Sequence, residues 1–135
     1  MTQMIFSSAA HEEFYQDMLM RCGNRDPYHQ AFFYCMGISA ETRENIHSLF
    51  DLENDGVRFK GLEEGWQTGG SIRLCRLALN LWNGHLGKGE ERLYTPYALF
   101  DCSYAPYFMQ AVQLRYGEYF REDRAFIKMG ECLER

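Results

Sequence analysis

Several things are scarce in this chain of 135 residues. It holds 3 prolines, and its 14 basic side chains are outnumbered by 19 acidic ones, for a formal net charge of −5. That sign disfavours a direct grip on a nucleic-acid backbone, which calls for a basic face. No apolar run approaches the roughly 18 residues that a spanning helix needs. The opening Met1 to Phe6 has neither a basic n-region nor an apolar h-region, so a signal peptide is not expected and the cytoplasm is the expected location. Five cysteines (Cys22, Cys35, Cys75, Cys102 and Cys132) never form a C-x-x-C pair, which argues against a disulfide framework or a zinc knuckle. Cys35 and Cys75 sit in apolar stretches and read as small buried hydrophobes in a reduced compartment.

What is present reads as one globular domain. Hydrophobic residues make up 46% of the chain and charged ones 24%, which suits a packed core and excludes disorder as the main state. After Ser7 and Ser8, Phe14, Tyr15, Met18, Leu19 and Cys22 recur at helical spacing and Gly23 stops them. Asp26 before Pro27 caps a second helix that is apolar almost all round up to Gly37. Ser39 caps a third, in which Ile46, Leu49 and Phe50 share a face, expected to end near Asp51. Asn54-Asp55-Gly56 signals a turn, and a small β-hairpin or irregular excursion is expected over residues 56–68. Ser71 is read as the start of the most apolar helix, the expected centre of the bundle, ending at Asn83-Gly84. Residues 85–91 read as an exposed loop. Thr95-Pro96 and Ser103 open two more helices, and the tail 118–135 is left as a docked helix or a frayed end. The expected fold is a mainly α bundle of five to six helices.

Patterns that carry chemistry are incomplete. Asp51, Glu53, Asp55 and Gly56 match the first half of a calcium loop, but Arg58 and Leu62 occupy the later positions where an apolar residue and a bidentate glutamate belong. His11, His29 and His47 are spaced 18 apart, yet Gly23, Pro27 and Gly37 interrupt any common helix, so surface or capping histidines are expected and no metal. No P-loop or dinucleotide fingerprint is present. Paired acids such as Glu12-Glu13, Glu63-Glu64 and Glu90-Glu91 read as solvated. No catalytic constellation and no cofactor is expected.

Two features point to binding instead. Residues 41–64 hold seven acids against Arg43, Arg58 and Lys60, which is −4 of the total −5. Within them Glu53, Asp55, Glu63 and Glu64 form a candidate acidic patch for a basic partner surface. Nine aromatics, six of them tyrosines, lie between Tyr94 and Phe120. An exposed subset, Tyr97, Tyr104 and Tyr107, is the candidate binding face, since tyrosine joins a large apolar body to a polar tip. The alternative site is the polar stripe Arg73, Arg76, Asn80 and Asn83, which could line a pocket for a small molecule or anion.

The string from Ser71 to Gly84, preceded by Phe6 with His11 and by Ala31-Phe32-Phe33-Tyr34, resembles a family of small proteins of unknown function from Gram-positive bacteria and their mobile elements. The resemblance covers residues 5–117. Its clearest piece, R-L-A-x-N-L-[YW]-N-G, is matched from Arg76 to Gly84. It implies an autonomous bacterial domain, element-borne, whose stripe Arg76, Asn80 and Asn83 belongs to the pattern, and it supplies no activity. The expected function is therefore a non-enzymatic protein-interaction module, in a specific form an inhibitor of a host defence or nucleic-acid-binding protein. Pocket binding at the stripe is the alternative, and homo-oligomerisation through the aromatic half is a third reading.

Overall fold

The computed structural model describes residues 3–120. Within them the chain forms six α-helices and one small antiparallel hairpin, as the mainly α reading expects. The helices are α1 (Ala9–Cys22), α2 (Pro27–Gly37), α3 (Ala40–Glu44), α4 (Gly69–Asn83), α5 (Pro96–Leu99) and α6 (Ala105–Arg115). The tail reading for residues 118–135 falls mostly outside the described residues.

Local chemistry sets the boundaries. The Ser8 side chain accepts from the His11 backbone N–H at the start of α1, and Gly23, with φ of 69°, closes it in the left-handed conformation that glycine adopts without a Cβ penalty. Asp26 and Pro27 start α2. Ser39 starts α3, but that helix stops at Glu44 rather than near Asp51. Asn45 leaves helical geometry and Ile46–Ser48 tightens into a 3₁₀ turn. Phe50 and Asp51 then become strand β1 (Phe50–Asp51), which pairs with β2 (Gly56–Val57) in the register Phe50 to Val57 and Asp51 to Gly56. The hairpin thus lies earlier than expected, and a 3₁₀ turn over Phe59–Glu63 fills the segment after it. The Asp51 carboxylate fixes the turn, accepting from the Glu53 N–H at 3.0 Å and from the Asn54 side chain at 2.7 Å. Helix α4 begins two residues before Ser71, because Thr68 and Ser71 cap one another reciprocally.

The central helix is α2, not α4. It packs on α1, α4 and α6, and every residue from Ala31 to Gly37 is buried. Phe32, Phe33, Tyr34 and Met36 meet Met18 and Leu19 of α1, Leu74 and Leu79 of α4 and Phe108 of α6 in one core. Gly37 is required by a close approach: a Cβ there would stand 2.7 Å from the His11 ring and 2.9 Å from Phe14. Among the described residues no helix is long and apolar enough to cross a membrane.

Candidate functional site

The amphipathic α4 turns its apolar face to α2 and leaves Arg76 at the edge of that face, half-buried. The 3₁₀ turn over Phe59–Glu63 rises on one side of it and the segment 85–94 on the other. Between them lies a cavity of about 520 Å³ lined by Phe59, Leu62, Glu63, Ile72, Arg76, His85, Lys88, Glu90 and Tyr94 among others. That volume lies in the range of small-molecule sites. One wall is built by stacking, with the Phe59 and His85 rings 4.3 Å apart and Tyr94 edge-on to His85 at 5.7 Å. Tyr94 is buried, and burial raises its hydroxyl above the ordinary range while the Arg76 charge beside it works the other way. Although Glu63 and Glu90 line the same cavity, among the described residues no carboxylate lies within 4.0 Å of the Arg76 guanidinium. A half-withdrawn guanidinium with its fork of donors free of a carboxylate is a ready receptor for a phosphate or carboxylate.

The rest of the expected stripe is spent on structure. Arg73 donates to the Asp101 carbonyl at 2.9 Å and ties α4 to the loop before α6. Asn80 donates to the His85 carbonyl at 3.1 Å, and the Asn83 side-chain oxygen accepts from the His85 N–H at 3.1 Å. These two residues hold the chain where it leaves α4, so that His85 reaches the cavity wall. The stripe is one functional candidate, Arg76, and three supports.

A family model described as "Family of unknown function (DUF6075)" matches residues 1–128. The chain belongs to this family. No curated protein and no solved structure matches it.

In this DUF6075 chain the other candidates are scattered. Glu53, Glu63 and Glu64 are exposed, with Glu63 on the cavity rim. Asp55 is exposed as well, but its Oδ1 lies 2.7 Å from His29 Nε2. Tyr97 is 91% exposed. Tyr104 instead packs over Gly70, and Tyr107 stands edge-on to the His11 ring at 6.4 Å, so both are half-buried parts of the helix packing. An apolar groove of about 560 Å³ opens between α4, α5 and α6, lined by Leu77, Leu81, Leu99, Phe100, Met109, Val112 and Tyr116 among others.

The histidines depart furthest from expectation. His47 is exposed, but His11 and His29 are buried. His11 Nε2 is 2.8 Å from the Tyr34 carbonyl and its Nδ1 accepts from the Ser7 N–H at 3.0 Å. Burial pushes its pKa down to about 4, so it is neutral at physiological pH. His29 lies between two carboxylates, with Nδ1 2.8 Å from Asp26 Oδ1 and Nε2 2.7 Å from Asp55 Oδ1. No metal-holding group of three His, Cys, Asp or Glu occurs among the described residues. Cys35 and Cys75 are buried thiols held above their ordinary pKa by that burial, Cys75 at about 11, and neither is poised as a thiolate.

Sequence reasoning reached Arg76 through the polar stripe. It did not reach Phe59, Leu62, His85 or Tyr94 as one site, because they come from two segments on either side of α4 in the sequence. The glycine-rich signal of residues 84–89 marked a loop, and nothing local shows which wall that loop completes.

Proposed function

We propose that the chain is a binding protein for a small anionic ligand, seated at Arg76 in the cavity between the 3₁₀ turn Phe59–Glu63, α4 and the segment 85–94. What carries this reading is the half-buried Arg76 without a carboxylate partner in an acidic chain. A phosphate or carboxylate supplies the missing counter-charge with bidentate geometry, Lys88 adds a second positive charge at the mouth, and Tyr94 offers a hydroxyl. The aromatic wall of Phe59 and His85 leaves room for an apolar or planar body on the ligand.

The test is an NMR titration with inorganic phosphate and, separately, succinate. Saturable shifts of the Ile72, Gly87, Lys88 and Glu90 amides are expected, and Arg76→Gln abolishes them while leaving the folded spectrum intact. Saturable shifts that persist in Arg76→Gln, or no shift in the unmodified protein, would overturn the reading.

A second reading has one observation of its own. Tyr97, 91% exposed, stands beside the apolar groove, as an anchor for a protein partner does. This is the interaction-module reading, and the finer affiliation with Gram-positive mobile elements and inhibition of a host defence or nucleic-acid-binding protein belongs with it. Capture of a stoichiometric partner, lost on Tyr97→Ala or on charge reversal at Glu53, Glu63 and Glu64, supports it. Capture unchanged across that set sinks it.

A further inference from the structure

The arrangement around His29 has chemistry that neither binding reading uses. The ring is 3% exposed and packed by Phe33, Phe50 and Trp82, with the Trp82 ring edge-on at 4.8 Å. Each of its nitrogens faces a carboxylate oxygen, and an ionised carboxylate only accepts. A neutral imidazole carries one N–H and satisfies one of the two; the imidazolium satisfies both. The two carboxylates belong to different parts of the fold. Asp26 caps α2, whereas Asp55 sits at the hairpin turn with φ of 54°, the one non-glycine residue among those described with positive φ. Aspartate tolerates that region in a turn, and here its carboxylate meets His29 Nε2 at 2.7 Å.

The turn is also where the cavity wall begins. Four residues after Asp55 the chain enters the 3₁₀ turn that supplies Phe59, Leu62 and Glu63 to the cavity. The Arg58 N–H donates back to the Leu49 carbonyl at 2.7 Å, so the wall is hung from the hairpin.

We infer that His29 is carried as the imidazolium and works as a proton-dependent latch that fastens the hairpin turn to α2 and, through it, the Phe59–Glu63 wall of the cavity. Loss of one proton leaves one carboxylate facing a bare ring nitrogen in a 2.7–2.8 Å contact, and the Asp55 side releases, because Asp26 is fixed by the helix it caps. The groups that face the ring are few. Asp26 comes from the start of α2 and Asp55 from the hairpin; β1 contributes Phe50 and α4 Trp82, neither of which titrates. Cys22, at the end of α1, feels both carboxylates, and burial together with their charge keeps its thiol protonated. The direction of titration agrees: burial alone pulls the imidazole down, but the hydrogen bonds and charges of Asp26 and Asp55 outweigh it and leave His29 above its ordinary 6.5. The control over the ligand site rests on the anion-pocket reading; the latch itself does not.

The latch is read without a ligand. In ring-labelled protein at about pH 6, His29 is expected with both nitrogens protonated, titrating above the unperturbed value. Exchange of the Arg58 amide, which donates to the Leu49 carbonyl, is expected, corrected for intrinsic rates, to lose roughly tenfold in protection or more across that titration. Asp55→Asn lowers the His29 titration and flattens the exchange profile, and His29→Gln, which carries no charge at any pH, leaves the hairpin equally labile throughout. A neutral single tautomer at about pH 6, or protection that ignores the His29 titration, overturns the latch. Phosphate affinity is measured in parallel on the unmodified protein and on Arg76→Gln. Arg76→Gln leaves the His29 titration in place, so a protein that shows the titration but binds no phosphate refutes the pocket and upholds the latch.

Discussion

His11 and His29 are both withdrawn from water, 0% and 3% exposed, and both rings pack among the aromatic side chains of α2. Their partners differ. His11 faces a backbone carbonyl on one nitrogen and a backbone N–H on the other, a pair that a neutral ring satisfies in full. His29 faces two carboxylates. Burial therefore does not decide the charge of a core histidine; the donor or acceptor character of what meets each nitrogen does. The two rings also respond to pH with opposite sign. His11 has a folded pKa below its unfolded value, so its contribution is complete above 6.5 and is lost as pH falls towards about 4. His29 has a folded pKa above its unfolded value, so its contribution is complete below 6.5 and is lost as pH rises through the raised value. Its partner Asp26 is held below the ordinary carboxylate value: burial opposes this, but the hydrogen bonds from His29 outweigh it. The Asp26 share is thus lost only in stronger acid.

The largest test of the contrast is acid titration of stability. The shift of His11 from 6.5 to about 4 corresponds to about 3 kcal/mol lost over that range. Urea unfolding across it, compared with His11→Gln, isolates that slope; equal slopes in the two proteins would mean that His11 is charged in the fold. Next, Gly37→Ala drives a methyl group into the His11 and Phe14 rings and is expected to cost about 2 kcal/mol by overpacking. A cost near zero would show that the His11 side yields where close packing says it cannot. On the other side, Asp55→Asn is expected to cost about 1 kcal/mol at mildly acid pH and to reduce the alkaline slope, because asparagine tolerates the left-handed backbone but carries no charge, while Asp26 still faces the ring. The smallest effect is at Tyr97→Ala, within about 0.5 kcal/mol, since an exposed ring supports neither histidine.

How much of this was legible follows from the range of each interaction. Helices α1 and α2 could be read because their signals, Gly23, Asp26-Pro27 and a run of apolar positions, act within a few residues. The Asn83-Gly84 stop was equally local, and Gly84 does take up positive φ. Ser71 reads as the start of α4 on its own, whereas its reciprocal cap with Thr68 sets the start two residues earlier. The apolar face of Ile46, Leu49 and Phe50 looked helical because short runs fit both periods, and pairing with Val57 decided for strand at Phe50. At the candidate site, Arg76 stood on a visible stripe, whereas its division from Arg73, Asn80 and Asn83 depended on the loop that returns over them. The His29 to Asp55 contact spans 26 residues and carries no local signature at all.

Tyr94 gives the molecule one more property. It lines both the polar cavity at Arg76 and the apolar groove between α4, α5 and α6. Any factor that a guest beside Arg76 were to impose through this residue on the affinity of the oily groove would be returned in full by a guest in the groove.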